Sequence, residues 1–209
     1  MGKIVLATII ISGSAKWLLK VGGNKEKWYG SDRIFMYVMT VFGAMIVNYS
    51  EQCTEYGWVV SNLRLLAGCL LAGGLLSAAY MDRRNCWVYN YVWWWCLPWT
   101  GILLGLPVSE AYMEDGVCRI TDRFSIQQAA AVALFVLLQQ ILFAQMYGRA
   151  DCHAFSVCAL AGCAWQGNLL WFLIHMLSAL TLLAAVQFCR RNVTPDGKLR
   201  VPKPFIPYI

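Results

Sequence analysis

Charged residues are scarce in this 209-residue chain: they make up 13% of it, whereas hydrophobic residues make up 59%. A soluble domain of this length carries about a quarter charged residues. The deficit excludes an ordinary soluble domain and indicates that a lipid bilayer is the solvent. Stretches of roughly 20 apolar residues, the length that crosses a hydrocarbon core, recur along the chain. Ten Trp and ten Tyr, many of them near segment ends, fit the aromatic belts of membrane proteins.

The nine cysteines include no C-x-x-C pair, which argues against a structural zinc site. Most of them lie within or beside apolar segments, where Cys is usually a small apolar filler. Cys152 and His153 stand next to Asp151 and could suggest a metal site or a Cys–His nucleophile. No third ligand stands at a suitable spacing, so neither a metal nor another cofactor is predicted.

The apolar pattern predicts an all-α fold, a polytopic transmembrane helix bundle with six or seven spans. The first segment is the weakest, because Gly13, Ser14 and Lys16 interrupt it. It could be a true span, an interfacial helix or an uncleaved signal-like anchor. The predicted segments cover residues 4–20, 34–50, 62–81, 87–107, 125–147, 152–166 and 168–189.

The loops between these segments alternate in charge. Lys and Arg are in excess at 20–33, after the third segment and in the tail, whereas the loops at 51–57 and 108–124 are acidic. Basic loops mark the cytoplasmic side of a membrane protein. The net charge of +6 therefore reflects topology, and no nucleic-acid partner is predicted.

This topology places two acids on one side of the membrane. Asp82 ends the third segment, which runs inward, and Asp151 follows the fifth, which also runs inward. Acids at the mouth of a helix bundle are costly to desolvate and mark functional sites by default. Two simpler explanations stay open: Asp82 could be a solvated helix end, and Asp151 could be the N-cap of the sixth segment.

Three short motifs narrow the alternatives. Met81-Asp82-Arg83-Arg84-Asn85-Cys86-Trp87-Val88-Tyr89-Asn90 resembles the first aspartate motif of type IV prepilin peptidases, with Asn90 eight residues after the aspartate. Gly148-Arg149-Ala150-Asp151 is similar to the Gly-x-Gly-Asp motif of the same intramembrane aspartyl proteases. Pro204-Phe205-Ile206-Pro207-Tyr208 resembles the family's Pro-Phe-x-Pro-Phe element. Short motifs count when their context agrees, and their order and placement agree with the predicted topology.

The resemblance implies a membrane-embedded aspartyl endopeptidase in which Asp82 and Asp151 are catalytic and Asn90 and Gly148 support the motifs. It covers residues 62–209, whereas residues 1–61 form amino-terminal membrane segments of uncertain role. The implied partners are the basic leader and hydrophobic helix of a prepilin or pseudopilin, cleaved at the cytoplasmic face of a bacterial inner membrane. No Cys quartet of the N-methyltransferase domain is present, so the resemblance is to a short form with peptidase activity alone.

The sequence departs from the family pattern at several positions. Ala150 replaces the second Gly of the aspartate motif, Tyr89 replaces a Pro, and His153 stands where relatives have Lys. A catalytically impaired relative, a membrane assembly factor and a proton-relay transporter are therefore the alternatives. A presenilin-like protease fits less well, since its Tyr-Asp and Pro-Ala-Leu elements are missing.

Overall fold

The computed structural model describes residues 2–22, 30–52, 58–85, 87–115, 126–145 and 148–166, with a few positions between 170 and 181. These ranges are helical and contain no strand, which confirms the all-α prediction. The helices are α1 (Gly2–Val21), α2 (Gly30–Gln52), α3 (Trp58–Asn85), α4 (Asn90–Asp115), α5 (Ile126–Ile141) and α6 (Arg149–Gln166), with a short 3-10 turn at Phe143–Gln145.

The six helices overlap the first six predicted segments, with two corrections. The fifth segment, predicted at 125–147, is wrong at its end, since α5 ends at Ile141. The loop predicted at 108–124 is wrong for its first part, since α4 continues to Asp115. Ala, Met and Glu in this stretch are strong helix formers, so the helix outlasts the apolar run. The predicted seventh segment, apart from a few positions, and the motif at 204–208 lie outside the described residues.

Two of the described helices, α1 and α3, are long and apolar enough to cross a bilayer. A buried core helix or an amino-terminal signal sequence meets the same criterion of length and composition. The outward faces of α1 and α2 are also strongly apolar. Their exposed large side chains include Leu6, Ile9, Trp17, Val38 and Phe42.

Helix α3 is the centre of the bundle, packed against α1, α2 and α4. Gly73 and Gly74 let two helices approach it closely. A Cβ on Gly73 would overlap Ser14 of α1, and a Cβ on Gly74 would lie 2.6 Å from the Sγ of Cys96 on α4. Glycine within a helix costs about 1 kcal/mol relative to alanine. At these two positions, the lack of a side chain allows the neighbouring helices to lie close to α3.

Helix α1 belongs to the same core. Its buried residues Ala7, Ile11, Ala15 and Leu18 recur every three or four positions and so form one face. Ser14, one of the residues that interrupts the apolar run, is buried and donates a hydrogen bond to the Ile10 carbonyl at 2.9 Å. Ser14 therefore does not interrupt α1, which is a regular helix that packs on α2 and α3.

Five helix ends meet at one end of the bundle. The Tyr91 hydroxyl, in the first turn of α4, donates to the Leu18 carbonyl in the last turn of α1 at 2.9 Å. Asp32, in the first turn of α2, pairs with Arg84 at the end of α3, with 3.5 Å between Oδ2 and Nε. The first turn of α6 joins them through Asp151, described next. We call this region the aspartate end.

Candidate functional site

Asp82 lies in the last turn of α3 and is 6% exposed. Side chains from α2 hold the two arginines that follow it. The guanidinium of Arg83 lies 4.6 Å from the centre of the Phe35 ring, a cation–π contact. Arg84 pairs with Asp32, which is itself buried. The end of α3 is thus fixed against the beginning of α2.

Asp151 stands in the first turn of α6, where Gly148 is the N-cap. The Gly148 carbonyl accepts the N–H groups of Asp151 at 3.0 Å and Cys152 at 3.2 Å. The Gly148 N–H donates in return to the Asp151 carboxylate, which is the side-chain half of a capping box. The suggestion that Asp151 is the N-cap is therefore wrong, because it lies three residues further on. Its charge still complements the positive end of the helix dipole.

The two predicted acids interact electrostatically at this end. Burial, together with the negative charge of Asp82, raises the pKa of Asp151 from 3.8 to about 6. The hydrogen bond from Gly148 acts in the opposite direction and only partly offsets the rise. The structure thus brings Asp82 and Asp151 within range of each other's charge. Their catalytic role stays a prediction.

Gly148 and Ala150 differ in what they require of the backbone. A Cβ on Gly148 would lie 3.5 Å from Asp151 Oδ2, an ordinary contact distance. A side chain at position 148 therefore meets no close contact. Ala150 replaces the family's second glycine, but it is helical and packs partly buried against the core. An alanine at a helical position costs nothing relative to glycine.

Asn90 is the first residue of α4, and its side chain is exposed. The carbonyl of Tyr89 accepts the Val92 N–H at 3.1 Å, so the cap is Tyr89. Asn90 is therefore not the cap of α4. Asn90 lies at the same end of the bundle as Asp82, because Tyr91 beside it contacts the last turn of α1.

Three features of the structure were missed from the sequence, two at the aspartate end and one at the opposite end. Asp32 lies in a loop whose charge was used only to infer the topology. The alternation of segments across the membrane already places this loop on the same side as the end of α3. Trp93 of α4 lies with its ring 5.9 Å from that of His153, two residues beyond Asp151. Arg64 of α3 is 0% exposed and donates to the Ala164 carbonyl at 3.2 Å. The sequence signal for the buried contact of Arg64 was a charged residue within an apolar segment.

Within the described ranges, no group of three or more His, Cys, Asp and Glu could hold a metal ion. Cys152 is buried, and His153 contacts Trp93.

Comparisons of the chain with protein-family models, with curated proteins and with solved structures found no match.

Proposed function

We propose that the protein is a membrane-embedded aspartyl endopeptidase that uses Asp82 and Asp151 to remove basic leaders from prepilin-like substrates. The observation that carries the proposal is the electrostatic coupling of two partly or fully buried carboxyl groups, brought together from α3 and α6. These are the same two residues that stand in the motifs resembling those of prepilin peptidases. Carboxyl pairs with shifted pKa values mark candidate catalytic sites.

The chemistry follows from the shared proton. Two neighbouring carboxyl groups cannot both ionise cheaply, and a pKa of about 6 for Asp151 means that the singly protonated pair is populated increasingly as the pH falls toward 6. The ionised member takes a proton from a water molecule, which attacks the scissile carbonyl carbon. The protonated member donates a hydrogen bond to the carbonyl oxygen and then supplies its proton to the departing amine. No covalent intermediate forms, and either aspartate can fill either role.

The membrane setting is supported by the composition of the surface. Large apolar side chains are exposed along α1 and α2, far more than a soluble surface tolerates in one patch. A polytopic bundle in a bacterial inner membrane would cover them with lipid. Arg83 and Arg149 at the aspartate end follow the positive-inside rule, so we place this end at the cytoplasmic face. A substrate with a basic cytoplasmic leader and a hydrophobic helix presents its cleavage point at that level.

A proton-relay transporter fits the positions of the acids less well. Such a relay uses acids near the middle of the bilayer. Asp82 lies in the last turn of a 28-residue helix, and Asp151 lies in the first turn of another. A catalytically impaired relative was suggested by Ala150, whose helical position gives no structural reason for impairment.

The experiment is co-expression with an epitope-tagged prepilin-like substrate, with leader removal followed by immunoblotting. Asp82→Asn and Asp151→Asn should each abolish removal, since an amide can neither share nor release the required proton. Asp32→Asn is the matched control, because it removes an acid at the same end that is paired with Arg84. It should retain cleavage per folded molecule, because Asp32 is not one of the two proposed catalytic carboxyl groups, and the amount of folded protein is measured in parallel. Full processing by either of the first two variants would exclude the proposal.

A further inference from the structure

The buried arginine of α3 contacts α6 at the end opposite to the aspartates. Arg64 is 0% exposed, and its Nη2 donates to the Ala164 carbonyl at 3.2 Å. Ala164 lies near the end of α6 as the structure describes it. A buried guanidinium of α3 therefore bonds the backbone of α6 far from Asp151.

This contact and the aspartate pair join the same two helices near both of their ends. About 27 Å of helix separates Arg64 from Asp82, and about 20 Å separates Asp151 from Ala164. The difference of about 7 Å is one that a long arginine side chain and two carboxyl side chains can accommodate. Helices α3 and α6 therefore run antiparallel with matched ends. Sliding α6 along its axis would break the arginine contact and separate the carboxyl groups together.

The register of α6 against α3 has few direct packing contacts behind it. Among the described helices, α6 packs chiefly against α4 and α5, so α3 and α6 are not closely packed neighbours. Bonds between specific polar groups define an axial position, whereas apolar faces in contact permit small shifts. We propose that Arg64 is a positioning residue that fixes the register of α6 against α3 and thereby sets the separation of Asp82 and Asp151. This claim about helix register, the geometric claim, does not depend on proteolysis. The test of it that measures cleavage, the activity arm, rests on the proposed function.

The geometric claim is tested by disulfide cross-linking in membranes. The nine native cysteines are replaced by alanine in the full chain, and Asp82→Cys and Asp151→Cys are introduced together. Cross-link yield after mild oxidation is then compared between this parent and versions that also carry a substitution at Arg64. Arg64→Met, which keeps the length of the side chain without its charge, should lower the yield at least five-fold. Arg64→Lys should retain an intermediate yield, because an ammonium can reach a carbonyl but forms fewer bonds.

The matched control is Lys16→Met, which removes a cation from an exposed position on α1. It should leave the yield unchanged. Melting of each variant in detergent shows that the bundle is folded, and Arg64→Lys serves as the test variant if Arg64→Met fails to fold. An unchanged yield in a folded Arg64 variant, or an equal loss in the Lys16 variant, would overturn the inference.

The activity arm uses the chain with its native cysteines and a prepilin-like substrate. Arg64→Met should lower the rate of leader cleavage at least ten-fold and move the alkaline limb of its pH profile to lower pH. The reason is that the charge of Asp82 acts less strongly on a more distant Asp151. If the natural sequence cleaves no such substrate while cross-linking still depends on Arg64, the peptidase proposal fails and the register claim stands. If cleavage occurs but neither readout responds to Arg64, the register claim fails alone.

Discussion

Replacing Asp151 with asparagine should stabilise the folded protein near neutral pH and leave its stability almost unchanged in acid. Burial and the charge of Asp82 raise the pKa of Asp151 from 3.8 to about 6 in the folded protein. The folded state therefore holds this proton more tightly than the unfolded state does. That contribution is fully present below about pH 3.8 and is lost as the pH rises through about 6. Above that value the ionised carboxylate is a cost that a neutral asparagine avoids.

The size of the effect follows from the shift. A rise from 3.8 to about 6 corresponds to about 3 kcal/mol for a group shielded from water. Asp151 is partly exposed, so solvent screening reduces the expected gain to roughly 1–2 kcal/mol. The shift already includes the opposing hydrogen bond from Gly148, which an asparagine oxygen can also accept. For a chain of this length the gain raises the melting temperature by about 2–8 °C.

The assay is thermal unfolding in detergent micelles, followed by circular dichroism at about pH 5 and about pH 8. Asp151→Asn should melt higher than the natural sequence at the higher pH, and the difference should shrink at the lower pH. Asp32→Asn is the control, since loss of its largely buried ion pair with Arg84 should lower stability by a similar amount at both pH values. A pH-independent difference, or a destabilised Asp151→Asn at the higher pH, would refute the electrostatic reasoning.

Two contacts between helices give further predictions. Gly73→Ala should destabilise the fold by about 1–3 kcal/mol in thermal unfolding, because the added Cβ would lie 3.1 Å from the Ile11 carbonyl oxygen of α1. Gly101→Ala is the matched control: nothing lies within 4 Å of the added carbon, so it should stabilise by about 0.5–1 kcal/mol. Equal melting temperatures for the two would contradict the close packing of α1 on α3. Tyr91→Phe should cost about 0.5–1.5 kcal/mol and speed hydrogen exchange in the last turn of α1, and unchanged exchange there would argue against that contact.

The sequence predicts the helices well because apolar run length and the scarcity of charge are local properties. Charge alternation also orders the helix ends, and it places Asp82 and Asp151 on one side without any knowledge of packing. The extension of α4 to Asp115 was missed, because polar residues with high helix propensity follow the apolar run there.

The contacts between helices could not be predicted from local sequence properties. That Gly73 faces α1 and Gly74 faces α4 depends on the rotation of each helix, which a uniformly apolar helix such as α3 does not reveal. The burial of Arg64 against α6 depends on which helices become neighbours. Asp32 was visible as an acid in a basic loop, but its partner Arg84 is known only once α2 and α3 are packed. The sequence predicts that the two aspartates lie on the same side, because the third and fifth segments both run inward. It does not predict the environment that shifts the pKa of Asp151.

The measurement that tests the central claim most directly is the rate of leader cleavage by purified protein carrying Asp82→Asn, Asp151→Asn or both. If the two carboxyl groups work as one unit, each single substitution should lower the rate by about a thousand-fold or more, in line with general acid–base catalysis. The double substitution should then lower it no further, because the unit is already broken. Either single variant retaining more than about a tenth of the natural rate, or single effects that multiply in the double variant, would contradict a catalytic pair.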